Sequence, residues 1–393
     1  MPPSQATEMA GSPAKPGSSP AAAPPATAPP ARLNAPDAAR GLAMLVMVIG
    51  HAGTFAKVDT AAEVYADRRL PLPGVGWMIP GFFVNLAPVL FWFLVGASVA
   101  LVGGRRSSEG EVDRFMLVRA AILIAIDQVL IPFLWAPSQP FRVTLIFELL
   151  TALGLTLVLL VPLRRLPDAA LLALAALLAL GYPLVIRHVP QSTLEHLPVW
   201  QRVFVTYDFN HDPEITFPLA GWLTLPLLGL VTGRRLRSAA WQRPAPWLGL
   251  AAASFAVGLL SRFTGYGDYS PWRPADGLAR WFVLSKGPPG LDFLGLYLGV
   301  GLLALAALFS PGIDWNAAWA RWLVLMGQVA LFLFAVHLGV CWLAARPLLH
   351  LFRHQDALRY ALTCAAALTV LTLLAAGYRA LKRRHPRSVL RYL

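Results

Sequence analysis

Charge is scarce in this chain. Only 13% of its 393 residues are charged, against roughly a quarter in soluble domains. Hydrophobic residues make up 57%. So few charges cannot cover the surface of the two or three soluble domains that this length would otherwise suggest. Lipid must replace water around most of the chain. Cysteine is nearly absent. Cys341 and Cys364 both lie in apolar stretches and read as small core hydrophobes, not as a disulfide or a metal pair. P-loop, GxSxG, HExxH and CxxC spacings are missing, and no metal centre is expected. The formal charge of +13 comes from short clusters between apolar runs. Without a basic stripe and interleaved aromatics, a nucleic-acid partner is not expected.

Residues 1–31 are dominated by Pro, Ala, Ser and Gly. They can bury too little apolar area to fold and are expected to form a disordered tail. They lack the apolar core of a secretory signal, so the first span is expected to act as its own uncleaved insertion signal.

Long apolar runs are abundant. A helix needs about 20 apolar residues to cross a ~30 Å hydrocarbon layer. About ten stretches approach that length: 38–55, 78–102, 115–135, 143–163, 168–189, 215–233, 246–263, 289–309, 322–344 and 360–378. The predicted fold is an all-α integral membrane bundle spanning 32–378, followed by a basic tail at 379–393. Arg105, Arg106, Arg114, Arg164, Arg165, Arg234, Arg235, Arg237 and Arg243 fall on one side with the C-terminal cluster. The positive-inside rule makes that side cytoplasmic, with both termini there and a bacterial inner membrane as the expected location. The other side receives longer loops rich in Trp, Tyr, Pro, His and Asp. Such loops can bind polar partners, or their aromatics can simply anchor helix ends. His188, His196 and His211 are irregularly spaced in one of them and read as surface residues.

Ionisable groups within the spans are expensive and mark candidate sites. Arg40 and His51 are eleven residues apart, three turns plus about 20°, which puts them on one helix face ~16 Å apart. Asp37 is one turn before Arg40 and can pair with it. His337 in the ninth span falls at nearly the depth of His51, ~22 against ~20 Å. Two imidazoles at matching depth can face one cavity, where a neutral ring can act as a base; a structural hydrogen bond between helices is the alternative. Asp127 and Glu148 occupy similar depths on consecutive spans. They could form a proton relay, a pair sharing Arg119 or Arg142, or a polar clamp between helices.

The run Arg32…Asp37-Ala-Ala-Arg40-Gly41-Leu-Ala-Met…His51 resembles the opening of bacterial proteins related to heparan-α-glucosaminide N-acetyltransferase, within the transmembrane acyltransferases. Segments 90–98, 153–167, 216–234, 267–272, 285–294 and 327–337 agree in order. The resemblance implies a membrane enzyme that takes an acyl group, acetyl by its family, from cytoplasmic acyl-CoA. It implies delivery to a glycan hydroxyl or amino-sugar amine on the far side. It makes His51 the residue matching the active-site histidine of the first span, a base or a transient acyl acceptor. The lysosomal member has its histidine in the following loop, and this chain has none between 52 and 187. Arg40, Arg105 and Arg106 suit the anionic head of the donor, since guanidinium matches phosphate geometry. The catalytic candidates are therefore His51, His337, Asp127 and Glu148, with no metal; association with further copies of the chain is compatible. A proton-coupled transporter or flippase, or a non-catalytic membrane partner, are the competing readings.

Overall fold

The computed structural model describes residues 33–58, 75–103, 108–135, 145–208, 211–273, 277–386 and 388–392. Arg105, Arg106 and Arg142 lie outside them, as does the tail expected at residues 1–31.

The described chain is almost wholly helical. Its elements are α1 (Asn34–Phe55), α2 (Val75–Val84), α3 (Leu86–Gly103), α4 (Glu109–Val129), α5 (Ile131–Trp135), α6 (Leu149–Leu163), α7 (Asp168–His188), α8 (Gln191–Glu195) and α9 (Val199–Val205). They continue with α10 (Leu219–Trp222), α11 (Thr224–Arg235), α12 (Pro244–Thr264), α13 (Leu278–Trp281), α14 (Leu291–Leu308), α15 (Ala318–Gln328), α16 (Ala330–Leu351) and α17 (Asp356–Arg384). Two-residue strands β1 (Ile146–Phe147) and β2 (Glu214–Ile215) pair in parallel.

Among the described residues, seven helices are long and apolar enough to cross a bilayer. The other expected spans differ in instructive ways. α4 has the length, but charges crowd its first turns. α6 starts later than the apolar run and has 15 residues. Within 215–233 the chain passes through β2 and then two helices joined at Leu223. The ninth run is also divided, by a break at Val329, and its second half continues to Leu351. The expected loop at 345–359 is therefore mostly helix. Apolar length measures what lipid tolerates, whereas a break is decided by what neighbouring helices can hydrogen-bond.

Helices α1 and α15 cross each other at glycines. A Cβ on Gly41 would sit 2.0 Å from the Leu323 carbonyl oxygen, and one on Gly327 would sit 1.7 Å from that of Asp37. Backbones can approach this closely only where side chains are missing, the usual basis of tight helix association in lipid. The contact presses α15 onto α1 and thereby aims α16 along the upper part of α1.

On the side where α1 begins, Arg164 and Arg165 pair with Asp113, Arg164 also with Glu109, and Arg234 and Arg235 with Asp168. These topology-setting arginines thus also tie helix ends together. On the opposite side, buried arginines collect loop carbonyls. Arg262 has no exposed side-chain surface and pairs with Asp268 at 2.6 Å and Asp292 at 3.4 Å. It also donates to the carbonyls of Ser270, Arg280, Trp281 and Val283. Arg202 acts likewise, bonding Asp208 and the carbonyls of Asp212 and Pro213. Arg359 joins α17 to the end of α1 through the Ala56 carbonyl, 2.7 Å away.

Removing Arg262 would strand two buried carboxylates and several carbonyls. Arg262→Met should destabilise the protein by about 3–5 kcal/mol, seen as a large drop in melting temperature of the detergent-solubilised chain. A wild-type melting curve would refute this account of the loop.

Candidate active site

The far-side half of α1 brings His51 to α16. His51 Nδ1 is 2.7 Å from His337 Nε2, and the rings are tilted by 35° with centroids 4.9 Å apart. His337 is fully buried, whereas His51 is half-buried. The other nitrogen of His337 lies 2.6 Å from the Phe334 carbonyl oxygen. The indole of Trp135, at the end of α5, meets His51 edge-on at 5.2 Å and stacks against Phe55. Lys286, in the loop before α14, lies over the Phe217 ring at 5.5 Å and is close enough for its charge to be felt at His51. The histidine pair therefore has aromatic walls and a nearby cation.

Toward the start of α1 lies a cavity of about 100 Å³. α1, α3, α4, α6 and α16 supply its walls, and Arg40, Ser98 and Arg119 are its polar lining residues. Arg40 pairs with Asp37, as the one-turn spacing implied, and donates to Ser98 Oγ at 2.7 Å. Arg119 stands near enough to Arg40 for their like charges to repel. No acidic partner for Arg119 occurs among the described residues. Two guanidiniums facing one apolar cavity make a strong anion-binding arrangement. The rest of the lining is apolar, including Leu94, Leu123, Leu150 and Leu331. Phe91 and Phe334 also line it, with their rings 6.2 Å apart. Phe334 links cavity and histidines, its ring 5.2 Å from that of His337.

Asp127 and Glu148 are placed differently. Asp127 is fully buried at the start of α6, and its carboxylate accepts the Thr151 backbone N–H at 2.8 Å. The adjacent Gln128 bonds Ile146 through both ends of its amide and donates to Thr151 Oγ1. Glu148 is the N-cap residue of α6, and its side chain accepts the Thr216 hydroxyl at 3.0 Å. Asp127 thus meets one of the free amides at the beginning of α6, whereas Glu148 ties that helix start to Thr216. Arg119 belongs to the cavity beside Arg40.

A family model described as heparan-alpha-glucosaminide N-acetyltransferase, catalytic, matches residues 32–264. The chain belongs to this family. Its family is one of membrane acetyltransferases, and the matched residues run from α1 through α12. They include His51, Arg40 and Arg119. His337 and Lys286 come from beyond the match, so the family region and the later helices build the site jointly. No curated protein matches the chain.

From sequence, Arg119 entered only as a cation that Asp127 and Glu148 could share, and Trp135 and Lys286 did not enter as site residues. Arg119 carried a usable signal as an arginine mid-way along an apolar run. The other two sit at helix ends or loops, where an aromatic or a lysine is unremarkable. His188, His196 and His211 are exposed. His211 bonds Asp208, and with Glu195 these side chains gather within 4.8 Å; Asp208 is already paired with Arg202. The two cysteines are free thiols, Cys341 buried.

Substituting Asp127 by Ala should cost about 1–2 kcal/mol, measured as a lower melting temperature, with Asp127→Asn milder because its amide oxygen still accepts. Equal effects of the two variants would contradict the capping role.

Proposed function

We propose that the protein moves an acyl group, acetyl by family, from acyl-CoA on the side where α1 begins to a sugar hydroxyl or amine on the opposite side. The observation that carries this reading is the alignment on one helix of an anion-binding mouth and an imidazole. Arg40 and His51 are separated by about 16 Å along the axis of α1. A pantetheine arm is comparable to four or five extended residues, ~14–18 Å, and so can bridge them. Arg40 and Arg119 would hold the phosphates, and Ser98 a polar group of the arm. The apolar walls would accept its methyl-bearing part. Phe91 and Phe334 must part for the thioester to reach His51.

The chemistry then needs a base at the far end. The neutral His51 ring takes the proton of the acceptor O–H or N–H as that atom attacks the thioester carbonyl. The C–S bond breaks when the tetrahedral intermediate collapses, and the proton passes from His51 to the departing thiolate. Acceptor and acyl group are joined, and the free thiol of CoA is released. The acceptor would approach past Trp135 and Lys286, from the side carrying the loops that Arg202 and Arg262 hold. The basic clusters on the side where α1 begins support a cytoplasmic orientation there, and the apolar helices support an inner-membrane location in a bacterium.

Two variants test the two ends separately. His51→Ala should lower transfer from labelled acetyl-CoA to amino sugars by about 10²–10⁴-fold while donor binding persists. Arg119→Glu should weaken donor binding by at least about 10-fold in a direct titration. Transfer at wild-type rate in His51→Ala would end the role of His51 as base, and absence of transfer by the wild type would end this reading. Proton-driven solute flux in vesicles, with no donor consumed, would speak for a transporter.

A further inference from the structure

The two imidazoles are not equivalent, and their hydrogen bonds assign the protons. The Phe334 carbonyl oxygen can only accept, so His337 Nδ1, 2.6 Å away, carries a proton. With His337 neutral, its Nε2 is therefore bare. At 2.7 Å from His51 Nδ1, that bare nitrogen must accept, which puts the proton of the shared bond on His51 Nδ1. A neutral His51 then has an unprotonated Nε2, on the part of the ring turned away from His337. Histidine free in water favours the opposite tautomer, with its proton on Nε2.

Burial gives the pair a direction. His337 is fully enclosed and bonded at both nitrogens, so it has no free lone pair to offer a substrate. His51 is half-buried, with only Nδ1 engaged by its neighbour. The carbonyl that starts the chain is fixed by helix geometry, since Phe334 and His337 are three residues apart on α16 and the bond spans one turn. Trp135, edge-on to His51, limits rotation of the ring from another side.

We propose that His337 is a positioning residue that holds His51 as its Nδ1–H tautomer and so makes Nε2 the reacting nitrogen. This rests on the reading of His51 as the base and adds which atom acts and what sets it. During transfer, Nε2 takes the acceptor proton and later gives it to the leaving thiolate. The Nδ1 proton stays in the bond to His337, whose lone pair stabilises the transient imidazolium. His337 gains and loses nothing in the cycle. A buried imidazole, oriented by a backbone carbonyl, thus does for His51 what a carboxylate does for the histidine of a serine-protease triad.

The tautomer can be read without any assay of turnover. The full chain, labelled with ¹⁵N-histidine and reconstituted in lipid bilayers, would be studied by solid-state NMR, with His51→Asn and His337→Gln spectra for assignment. Wild type should show His51 protonated at Nδ1 and bare at Nε2. His337→Leu should shift it toward the Nε2–H form, while His337→Gln, whose amide oxygen can accept at a similar position, should keep Nδ1–H. Kinetically, His337→Leu should lower kcat by about 10²-fold with the donor KM within about twofold, and His337→Gln should recover most of the loss. An Nε2–H tautomer of His51 in the wild type, or Nδ1–H retained in His337→Leu, would overturn the proposal. Should the leucine variant fail to fold, the wild-type and glutamine spectra still decide it. Unimpaired transfer in His51→Asn would instead overturn the reading of His51 as the base, leaving the tautomer result to stand on its own.

Discussion

Within a hydrocarbon solvent no water is available to pair a stray donor or acceptor, and each unsatisfied group costs several kcal/mol. The polar architecture of this protein follows from that constraint. Asp127 and Gln128 meet the amides and strand backbone at the beginning of α6. Arg202, Arg262 and Arg359 each gather several carbonyls from loops that could not otherwise be packed against the bundle. Arginine suits the task because its planar fork offers five donors at once. The His51–His337 bond obeys the same rule, but His51 keeps a ring nitrogen left over after pairing.

The site depends in turn on an apolar feature. Gly41 and Gly327 let the backbones of α1 and α15 touch. The break at Val329 then redirects the chain, so that α16 carries His337 to His51. A side chain at either glycine would push the two helices apart, and hydrogen bonding at 2.7 Å does not survive even a modest displacement. The geometry of the histidine pair is set by the absence of side chains some distance from the two rings. The cavity with Arg40 and Arg119 is bounded by the same helices, which couples its shape to that contact.

Much of the architecture could be read directly. The apolar helices follow from hydrophobic length, and Arg40 with Asp37 follows from one-turn spacing. Family membership was carried by the segment from Arg32 to His51 and its successors. Matching depth made His51 and His337 candidates for one cavity, but depth fixes only one coordinate of three. For the same reason Asp127 and Glu148 looked like a pair: equal depth on consecutive helices cannot tell which way two side chains turn. One faces backbone amides and the other a threonine hydroxyl. Arginines outside the spans were legible as charge, but their role as carbonyl collectors depends on loop paths that periodicity does not encode.

By itself, the sequence determined that the chain is a membrane-embedded helical bundle of an acetyltransferase family, because apolar run length and the local motif around His51 are properties of neighbouring residues. Only the tertiary structure decided that two histidines 286 positions apart lie within hydrogen-bonding distance, that Arg119 joins Arg40 at one cavity, and that Asp127 caps a helix. Those facts depend on rotation about helix axes and on the close approach of backbones. Both are set by packing among residues remote in the chain, where neither length nor periodicity carries information.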